Sequence, residues 1–379
     1  PLGGKTHVLH QFLLPITVSW RAADFVGRDF VKLIHGGDVE GFREEFGREP
    51  LDFSANISPL GLPEGVRQGV IHSLREATQY PDPLCRKLRR AIGEKEGIDP
   101  EYIQCGNGAA DLIFRLVLAV RPRRALVTAP TFAEYATALE SVGCTVERFF
   151  LREQEDFAVT DAFCAAIRPG VDMVFLCQPN NPTGQLTALP LVEQILHRCA
   201  ACGTLLVVDE CFLDFLPDHA LHTAKGLLGE GDLVILKAFT KLYGMAGVRL
   251  GYALSADTAL LEQMQACGQP WGVSSLAQAA GLAALEETAY VEKVRAIIAE
   301  QRPRLTAGLR ALGLRVLDSR ANYLLFQAPE TLGEALRQRG AVLRSCANYP
   351  GLGPGWYRTA VRTGPENEQL LKLLAEVLE

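Results

Sequence analysis

A lysine that directly follows a predicted buried strand is the residue of this sequence with the clearest capacity for covalent chemistry. Lys241 comes shortly after the apolar run 233–236, and Arg249 lies eight residues further along. A lysine held in an apolar pocket or beside other cations has a lowered pKa, so its neutral amine can attack an aldehyde. A guanidinium such as that of Arg249 can hold a phosphate through two parallel hydrogen bonds. Because a lysine after a strand is more often a solvated surface residue, this interpretation depends on the neighbouring motifs.

A carboxylate ends a second apolar run. Asp209 follows residues 205–208, which are all apolar. A carboxylate in that position is costly unless it is paired. It could cap a helix, form an ion pair, or face a pyridinium nitrogen. In the last case it would keep the nitrogen protonated, so that the ring can act as an electron sink.

Two loops supply candidate contacts to an anionic, ring-shaped cofactor. Residues 178–184 contain two prolines, a glycine and the pair Asn180 and Asn181, and they follow the apolar run 173–177. Proline and glycine fix a rigid turn, and the amide of Asn181 could donate to a phenolate oxygen. Gly106 and Gly108 open another helical stretch, whose first amides could bind a phosphate. Either loop could also be a plain turn.

Together these four motifs resemble those of the fold-type I pyridoxal 5′-phosphate (PLP) enzymes, in particular aminotransferase class I/II. The resemblance covers about residues 33–379. It implies that PLP is the cofactor, joined to Lys241 as a Schiff base. It also implies that Asp209 pairs with the pyridine nitrogen and that Asn181 hydrogen-bonds the phenolic oxygen.

The same resemblance implies further cofactor contacts and a homodimer. Phe132 would stack on the ring, and Tyr80 would reach the phosphate across the dimer interface. The residues that would cradle the phosphate within one subunit are Gly108, Ala109, Thr240 and Arg249. Two positions depart from the family pattern. Ala238, beside Lys237, stands where a hydroxyl is common, and Phe212 stands where a tyrosine is common.

Two arginines in the C-terminal part of the chain could bind a substrate with two anionic groups. Arg344 and Arg358 are fourteen residues apart. A single arginine is usually part of a surface salt bridge, but a guanidinium also matches the geometry of a carboxylate or a phosphate. The segments around them, 344–352 and 356–362, carry a finer resemblance, together with 35–38, 51–61 and 322–325.

These segments resemble the branch of the family that decarboxylates L-threonine O-3-phosphate to (R)-1-amino-2-propanol O-2-phosphate in cobalamin biosynthesis. The resemblance implies that Arg358 binds the α-carboxylate and that Arg344, with His35, binds the phosphate. Asn56 and Asn181 would complete the substrate site. The bond to Cα that lies perpendicular to the cofactor ring is the one that breaks. A small rotation of the substrate therefore decides between decarboxylation and amino transfer.

Three alternatives stay open at this point. O-phospho-L-serine differs from the first substrate by one methyl group, which is worth only about 1–3 kcal/mol in a pocket. Histidinol-phosphate aminotransferase shares the fold but needs an α-keto acid acceptor. A binding or regulatory protein without catalysis is disfavoured because Lys241 and both substrate arginines are present.

The elements that must position these residues alternate along the chain. Apolar runs at 125–128, 173–177, 205–208, 233–236 and 250–254 predict buried strands, and helical patterns lie between them. This alternation predicts an α/β fold with a mainly parallel sheet, whose ligands sit beyond the carboxyl ends of the strands. The resemblance implies seven strands in a large domain, together with a smaller α+β domain.

The length of the chain and its later elements predict more than one domain. Residues 61–285 would form the large PLP-binding domain and 286–379 the small C-terminal domain. Residues 31–60 would join the small domain. Residues 1–30 would be an N-terminal extension, either disordered or left over from cloning.

Composition narrows the function classes. The net charge is −6 and there is no long basic run, which argues against nucleic-acid and membrane partners. The apolar stretch 8–20 is interrupted by Gln11 and Pro15 and lacks the pattern of a signal peptide. Ten cysteines include one isolated pair, Cys199 and Cys202, which is too little for a zinc site. We expect a cytoplasmic enzyme with reduced thiols and no metal.

Overall fold

A seven-stranded sheet forms the centre of the structure, as the alternating apolar runs predict. The computed structural model describes residues 35–378, so the predicted extension 1–30 lies outside the described residues. The strands of this sheet are β2 (Ile103–Gly106), β3 (Arg124–Ala129), β4 (Thr145–Phe150), β5 (Met173–Cys177), β6 (Leu205–Asp209), β7 (Leu233–Ala238) and β8 (Gly251–Leu254).

The sheet is mainly parallel. Its strand order is β2-β8-β7-β6-β5-β3-β4, and β8 is antiparallel to both of its neighbours. The central strands β5 and β6 are buried along their whole length, which explains their unbroken apolar sequences. Strands β2 and β4 are not among the predicted runs, because β4 is half-buried or exposed along its whole length and β2 contains Gln104 and Gly106. The predicted fold class is confirmed.

Helices cover the sheet and the elements that follow it. They are α1 (Val39–Phe46), α2 (Glu64–Ser73), α3 (Arg86–Glu96), α4 (Ala109–Val120), α5 (Glu134–Ser141), α6 (Ala162–Ala166), α7 (Leu189–Cys202), α8 (Phe239–Leu242), α9 (Thr258–Ala266), α10 (Ser275–Glu286), α11 (Thr288–Ala311), α12 (Leu332–Arg339) and α13 (Gly364–Leu378). Helix α11 contains Pro303 and continues through it. None of the described helices is long and apolar enough to cross a membrane.

Two smaller sheets carry the C-terminal residues of interest. Their strands are β1 (Leu51–Asp52), β9 (Arg315–Val316), β10 (Tyr323–Gln327), β11 (Ala341–Val342), β12 (Arg344–Ser345) and β13 (Trp356–Ala360). Strand β1 pairs in parallel with β11, and β12-β13-β10-β9 form an antiparallel sheet. Arg344 and Arg358 are opposite one another in the β12–β13 register, so the sheet brings the two predicted substrate arginines together.

Candidate active site

A cavity of about 350 Å³ lies beyond the carboxyl ends of β3, β5, β6 and β7. This is the edge at which an open parallel sheet binds ligands. Most of the residues predicted from the sequence line it. Those residues are His35, Asn56, Ala109, Phe132, Asn181, Asp209, Thr240, Lys241, Arg249, Arg344 and Arg358.

Lys241 projects into this cavity from the short helix α8, which directly follows β7. Burial lowers the pKa of its amine, and the nearby charges of Arg358 and Arg249 lower it further, although Cys211 and Asp209 oppose them. Among the described residues, no group hydrogen-bonds Nζ. The amine is therefore available as a nucleophile toward a carbonyl carbon, as the sequence pattern indicates.

Asp209 ends β6 and is held by two hydrogen bonds. The backbone amide of Cys211 donates to Oδ1 at 3.0 Å, and the hydroxyl of Tyr135 donates to Oδ2 at 2.5 Å. Burial and the charge of Asp209 raise the pKa of Tyr135 well above its usual value, so the phenol keeps its proton. The ring of Tyr135 is itself stacked on Phe175 at 4.7 Å. The hydrogen bond from Tyr135 thus fixes the orientation of the Asp209 carboxylate, a role that the sequence did not reveal.

We expect Tyr135→Phe to lower kcat by roughly tenfold and to leave KM within about a factor of two, because a hydrogen bond to a charged group is worth about 1.5–3 kcal/mol. The variant removes one oxygen and keeps the buried ring. Steady-state kinetics together with near-ultraviolet circular dichroism would check this. A wild-type kcat in a folded variant would show that the phenol does not assist Asp209.

Arg249 and the loop that precedes α4 pack closely together and form a cradle for an anion. Gly108 has a φ of +84°, and a Cβ at this position would meet Arg249 Nη2 at 2.5 Å. Gly108 caps α4 without a side-chain hydrogen bond, so the first amides of the helix can donate to an anion. Arg249 Nη1 donates to the carbonyl oxygen of Ala246 at 3.1 Å, which leaves the other terminal nitrogen of the guanidinium, Nη2, on the side of the cradle. These features fit a bound phosphate.

The two asparagines of the 178–184 loop have different positions. Asn180 is buried in the loop, where its amide bonds to Pro130 and Thr183 and its oxygen accepts from Thr131 at 2.8 Å. Asn181 lines the cavity, and its oxygen accepts from Arg358 Nη1 at 2.5 Å. One asparagine therefore holds the turn, and the other is available to a ligand through its amide nitrogen.

Arg358 is buried without an acidic partner among the described residues. Its side chain is only 6% exposed, and besides Asn181 it bonds to the carbonyl oxygen of Ser54 at 2.8 Å. Within the described part of the chain, its Nε has no hydrogen-bond partner, and neither polar atom of the Asn56 amide has one. Burying a cation and an amide in this way is costly unless something pairs with them. An anionic ligand in the cavity could accept from Arg358 and from Asn56 Nδ2.

Arg344 and His35 lie at other points of the same cavity. Arg344 Nη2 bonds to Asn348 Oδ1 at 2.9 Å, and its guanidinium lies 5.3 Å from the ring centre of Tyr349. His35 is half-exposed, and its Nε2 is 2.7 Å from Glu134 Oε1. The described residues that line the cavity thus include three arginines and a lysine but two carboxylates, Asp209 and Glu134. This balance favours ligands that carry more than one negative charge.

Tyr80 does not line the cavity of its own chain. It is 79% exposed and stacks on the exposed Trp271 at 4.4 Å between ring centres. Its predicted contact with the cofactor phosphate of a second subunit stays a prediction.

The structure explains what the two departures from the family pattern do. Ala238 lines the cavity and offers no hydroxyl, whereas the neighbouring Lys237 points away from it. Lys237 Nζ is 2.9 Å from Asp214 and lies within 4 Å of Glu96 and Glu210. Burial alone would lower the pKa of Lys237, but these three carboxylates raise it. Lys237 therefore does not replace the missing phosphate contact.

Phe212 lines the cavity in place of the expected phenol. Lys241 Nζ is 6.0 Å from the centre of its ring, and the ring packs edge-on against Tyr323. The position therefore contributes apolar packing beside the amine and no hydrogen bond.

Sequence reasoning missed several residues of this site. Glu134, Cys177, Cys211, Ser54 and Tyr349 all line the cavity or bond to its residues. Cys177 and Cys211 had usable signals, because Cys177 ends the apolar run 173–177 and Cys211 comes two positions after Asp209. Ser54 and Tyr349 lie within the segments 51–61 and 344–352, but nothing in their spacing points to the cavity.

Known proteins with similar sequences and folds share this architecture. The profile of the aminotransferase class I and II family matches residues 48–377. The threonine-phosphate decarboxylase of Salmonella typhimurium is 38% identical over 351 residues, which cover 91% of this chain and 96% of that protein. The histidinol-phosphate aminotransferase of Lactiplantibacillus plantarum is 33% identical, with coverages of 86% and 92%.

A solved structure agrees with the fold. The histidinol-phosphate aminotransferase of Sinorhizobium meliloti, in complex with pyridoxal 5′-phosphate, has a TM-score of 0.81 and 24% identity, and the match covers 94% of this chain and 99% of that one. The family resemblance drawn from the motifs is confirmed. On the extent of the family match and the identity to its decarboxylase relative, this chain belongs to the class I and II aminotransferase family.

Proposed function

We propose that this chain is a PLP-dependent carboxy-lyase that decarboxylates L-threonine O-3-phosphate to (R)-1-amino-2-propanol O-2-phosphate, a step of cobalamin biosynthesis. The observation that carries the proposal is the buried Arg358, which has no acidic partner within residues 35–378, in a cavity that Arg344, Arg249 and Lys241 also line. A substrate with a carboxylate and a phosphate supplies negative charges that can pair with the arginines of this cavity. The decarboxylase relative at 38% identity supports the same substrate.

The residues present fit PLP. Gly108 and Arg249 form the phosphate cradle, Asp209 lines the same cavity, and Lys241 offers an amine whose pKa is lowered by burial. When bound, PLP supplies an electron sink for the pair released at the substrate Cα. Asp209, held by Tyr135, would hold a proton at the ring nitrogen. Asn181 would donate from its amide nitrogen to the phenolic oxygen.

The remaining residues orient the substrate. Arg358 binds the α-carboxylate and Arg344 binds the phosphate, so two substituents are anchored and rotation about the bond to the amino nitrogen is restricted. Such fixed orientation is worth several kcal/mol of the barrier. Apolar side chains such as Phe132 and Phe212 exclude water around the departing carboxylate. Lys241 then delivers a proton to Cα, which completes the exchange of the carboxylate for hydrogen.

Three finer features belong to the proposal. We propose a homodimer, in which the exposed Tyr80 reaches the cofactor phosphate of the partner subunit. We propose a large domain over residues 61–285 and a small domain over 286–379. The free thiols of all ten cysteines support a reducing compartment, the cytoplasm.

A substrate panel tests the reaction. Incubation of the holoenzyme with O-phospho-L-threonine should release CO₂ without any keto acid. O-phospho-L-serine should react more slowly, by roughly 5- to 100-fold, because it lacks the methyl group. If CO₂ is absent and histidinol phosphate instead transfers its amino group to 2-oxoglutarate, the chain is an aminotransferase. Equal rates with both phospho-amino acids would widen the substrate class.

A further inference from the structure

Glu134 is one of two carboxylates that line the cavity, and its position is unusual for an anion-binding site. The other carboxylate, Asp209, has the ring nitrogen as its partner. Glu134 begins α5, next to Tyr135, and its side chain is only 17% exposed. A carboxylate in a cavity that must admit a phosphate and a carboxylate would repel both. It therefore needs a reason to be there.

One contact of Glu134 reduces the repulsion between its carboxylate and an anionic ligand. Glu134 Oε1 lies 2.7 Å from Nε2 of His35, a residue 99 positions away in the sequence. The His35 ring also lies beside Phe132, at 6.0 Å between ring centres. Because Nε2 is engaged by the carboxylate, Nδ1 is the remaining polar atom of the imidazole.

A carboxylate on one ring nitrogen determines what the other nitrogen does. An imidazole ring placed between Glu134 and a substrate phosphate would keep the two anions from facing each other directly, and whenever the ring carries both protons it can donate to each of them. Without Glu134, the half-exposed His35 side chain would have many rotamers and no fixed donor direction. Without His35, Glu134 would oppose the phosphate.

We propose that Glu134 is a positioning residue that acts through His35 to direct the imidazole toward the phosphate of the substrate. The pair makes the site selective for the phosphate end of the ligand and leaves the carboxylate end to Arg358. This inference rests on the proposed function, since it assigns a phosphorylated substrate to the same cavity.

Calorimetric titration of the holoenzyme with inorganic phosphate, and separately with L-threonine, tests the proposal without turnover. In Glu134→Ala, Kd for phosphate should rise roughly tenfold, because a charge-assisted hydrogen bond is lost. Kd for L-threonine, which has no phosphate, should be unchanged. KM for O-phospho-L-threonine should rise by a similar factor while kcat stays within about twofold.

A double substitution separates positioning from a general structural effect. In a His35→Ala background, Glu134→Ala should no longer weaken phosphate binding, and it should strengthen it because the repulsion is removed. Glu140→Gln, an exposed position on the same helix that pairs with Arg148, is the matched control and should bind as the wild type does.

Two results would overturn the role of Glu134. One is an unchanged Kd for phosphate in Glu134→Ala, and the other is the same loss with and without His35. Neither result would contradict the proposed function. That function fails only if the wild-type holoenzyme releases no CO₂ from O-phospho-L-threonine. The two failures are therefore distinguishable.

Discussion

Lys241→Ala should lower kcat/KM for O-phospho-L-threonine by about 10⁴-fold or more, because we propose that this residue is both the nucleophile toward the cofactor and the proton donor to Cα. Its amine is buried, and burial lowers its pKa, which favours the neutral, nucleophilic form. The visible absorbance band of lysine-bound PLP should disappear at the same time. Absorbance spectra and CO₂ release measure the two effects independently.

An exposed lysine provides the control for this result. Lys293 lies on the solvent side of α11, and Lys293→Ala should keep both the absorbance band and the turnover. Sodium borohydride reduction followed by peptide mapping would place the cofactor on Lys241 in the wild-type protein. A label on any other lysine, or a Lys241→Ala protein that remains yellow and active, would contradict the assignment.

Asp209→Asn should lower kcat by roughly 10²- to 10³-fold, which is the usual loss when one preorganised electrostatic group is removed from an active site. The amide has nearly the same shape: its oxygen can still accept from the backbone amide of Cys211, and its NH2 group can donate to the hydroxyl oxygen of Tyr135, so the fold is expected to survive. What it lacks is the negative charge that keeps the ring nitrogen protonated. Single-turnover measurements of CO₂ release would isolate this step.

Asp232→Asn is the matched control for Asp209→Asn. Asp232 precedes β7 at the opposite edge of the same sheet and is exposed, so its replacement should leave kcat unchanged. Reconstitution with a PLP analogue that carries a fixed positive charge on the ring nitrogen should recover much of the rate in Asp209→Asn. If that analogue gives no recovery, Asp209 acts by some means other than the ring proton.

The two largest effects come from residues that directly follow adjacent buried strands. Asp209 ends β6 and Lys241 follows β7, and these strands are paired in parallel through Asp209 and Leu236. Parallel pairing brings consecutive strand ends to the same edge, so two groups 32 positions apart converge without any special loop. Both variants therefore test one architectural feature.

The sequence by itself determined the chemistry that is encoded by local spacing. Lys241, Asp209 and Asn181 each come at or just beyond the end of an apolar run, and a run of that kind can only be a buried strand or helix. The parallel sheet then requires their convergence. The phosphate-binding role of Gly108 could be predicted from the sequence for a similar reason, because small residues before a helix leave its first amides open.

Tertiary structure alone decided the partners that support these groups. Tyr135 bonds Asp209 across 74 positions, Arg358 bonds Asn181 across 177, and Glu134 meets His35 across 99. No local periodicity reports such pairs, because each depends on the packing of segments far apart in the chain. The folded cavity decides whether a buried polar group bonds to another residue or is left to pair with a ligand. The spacing of residues along the chain does not predict which of the two occurs.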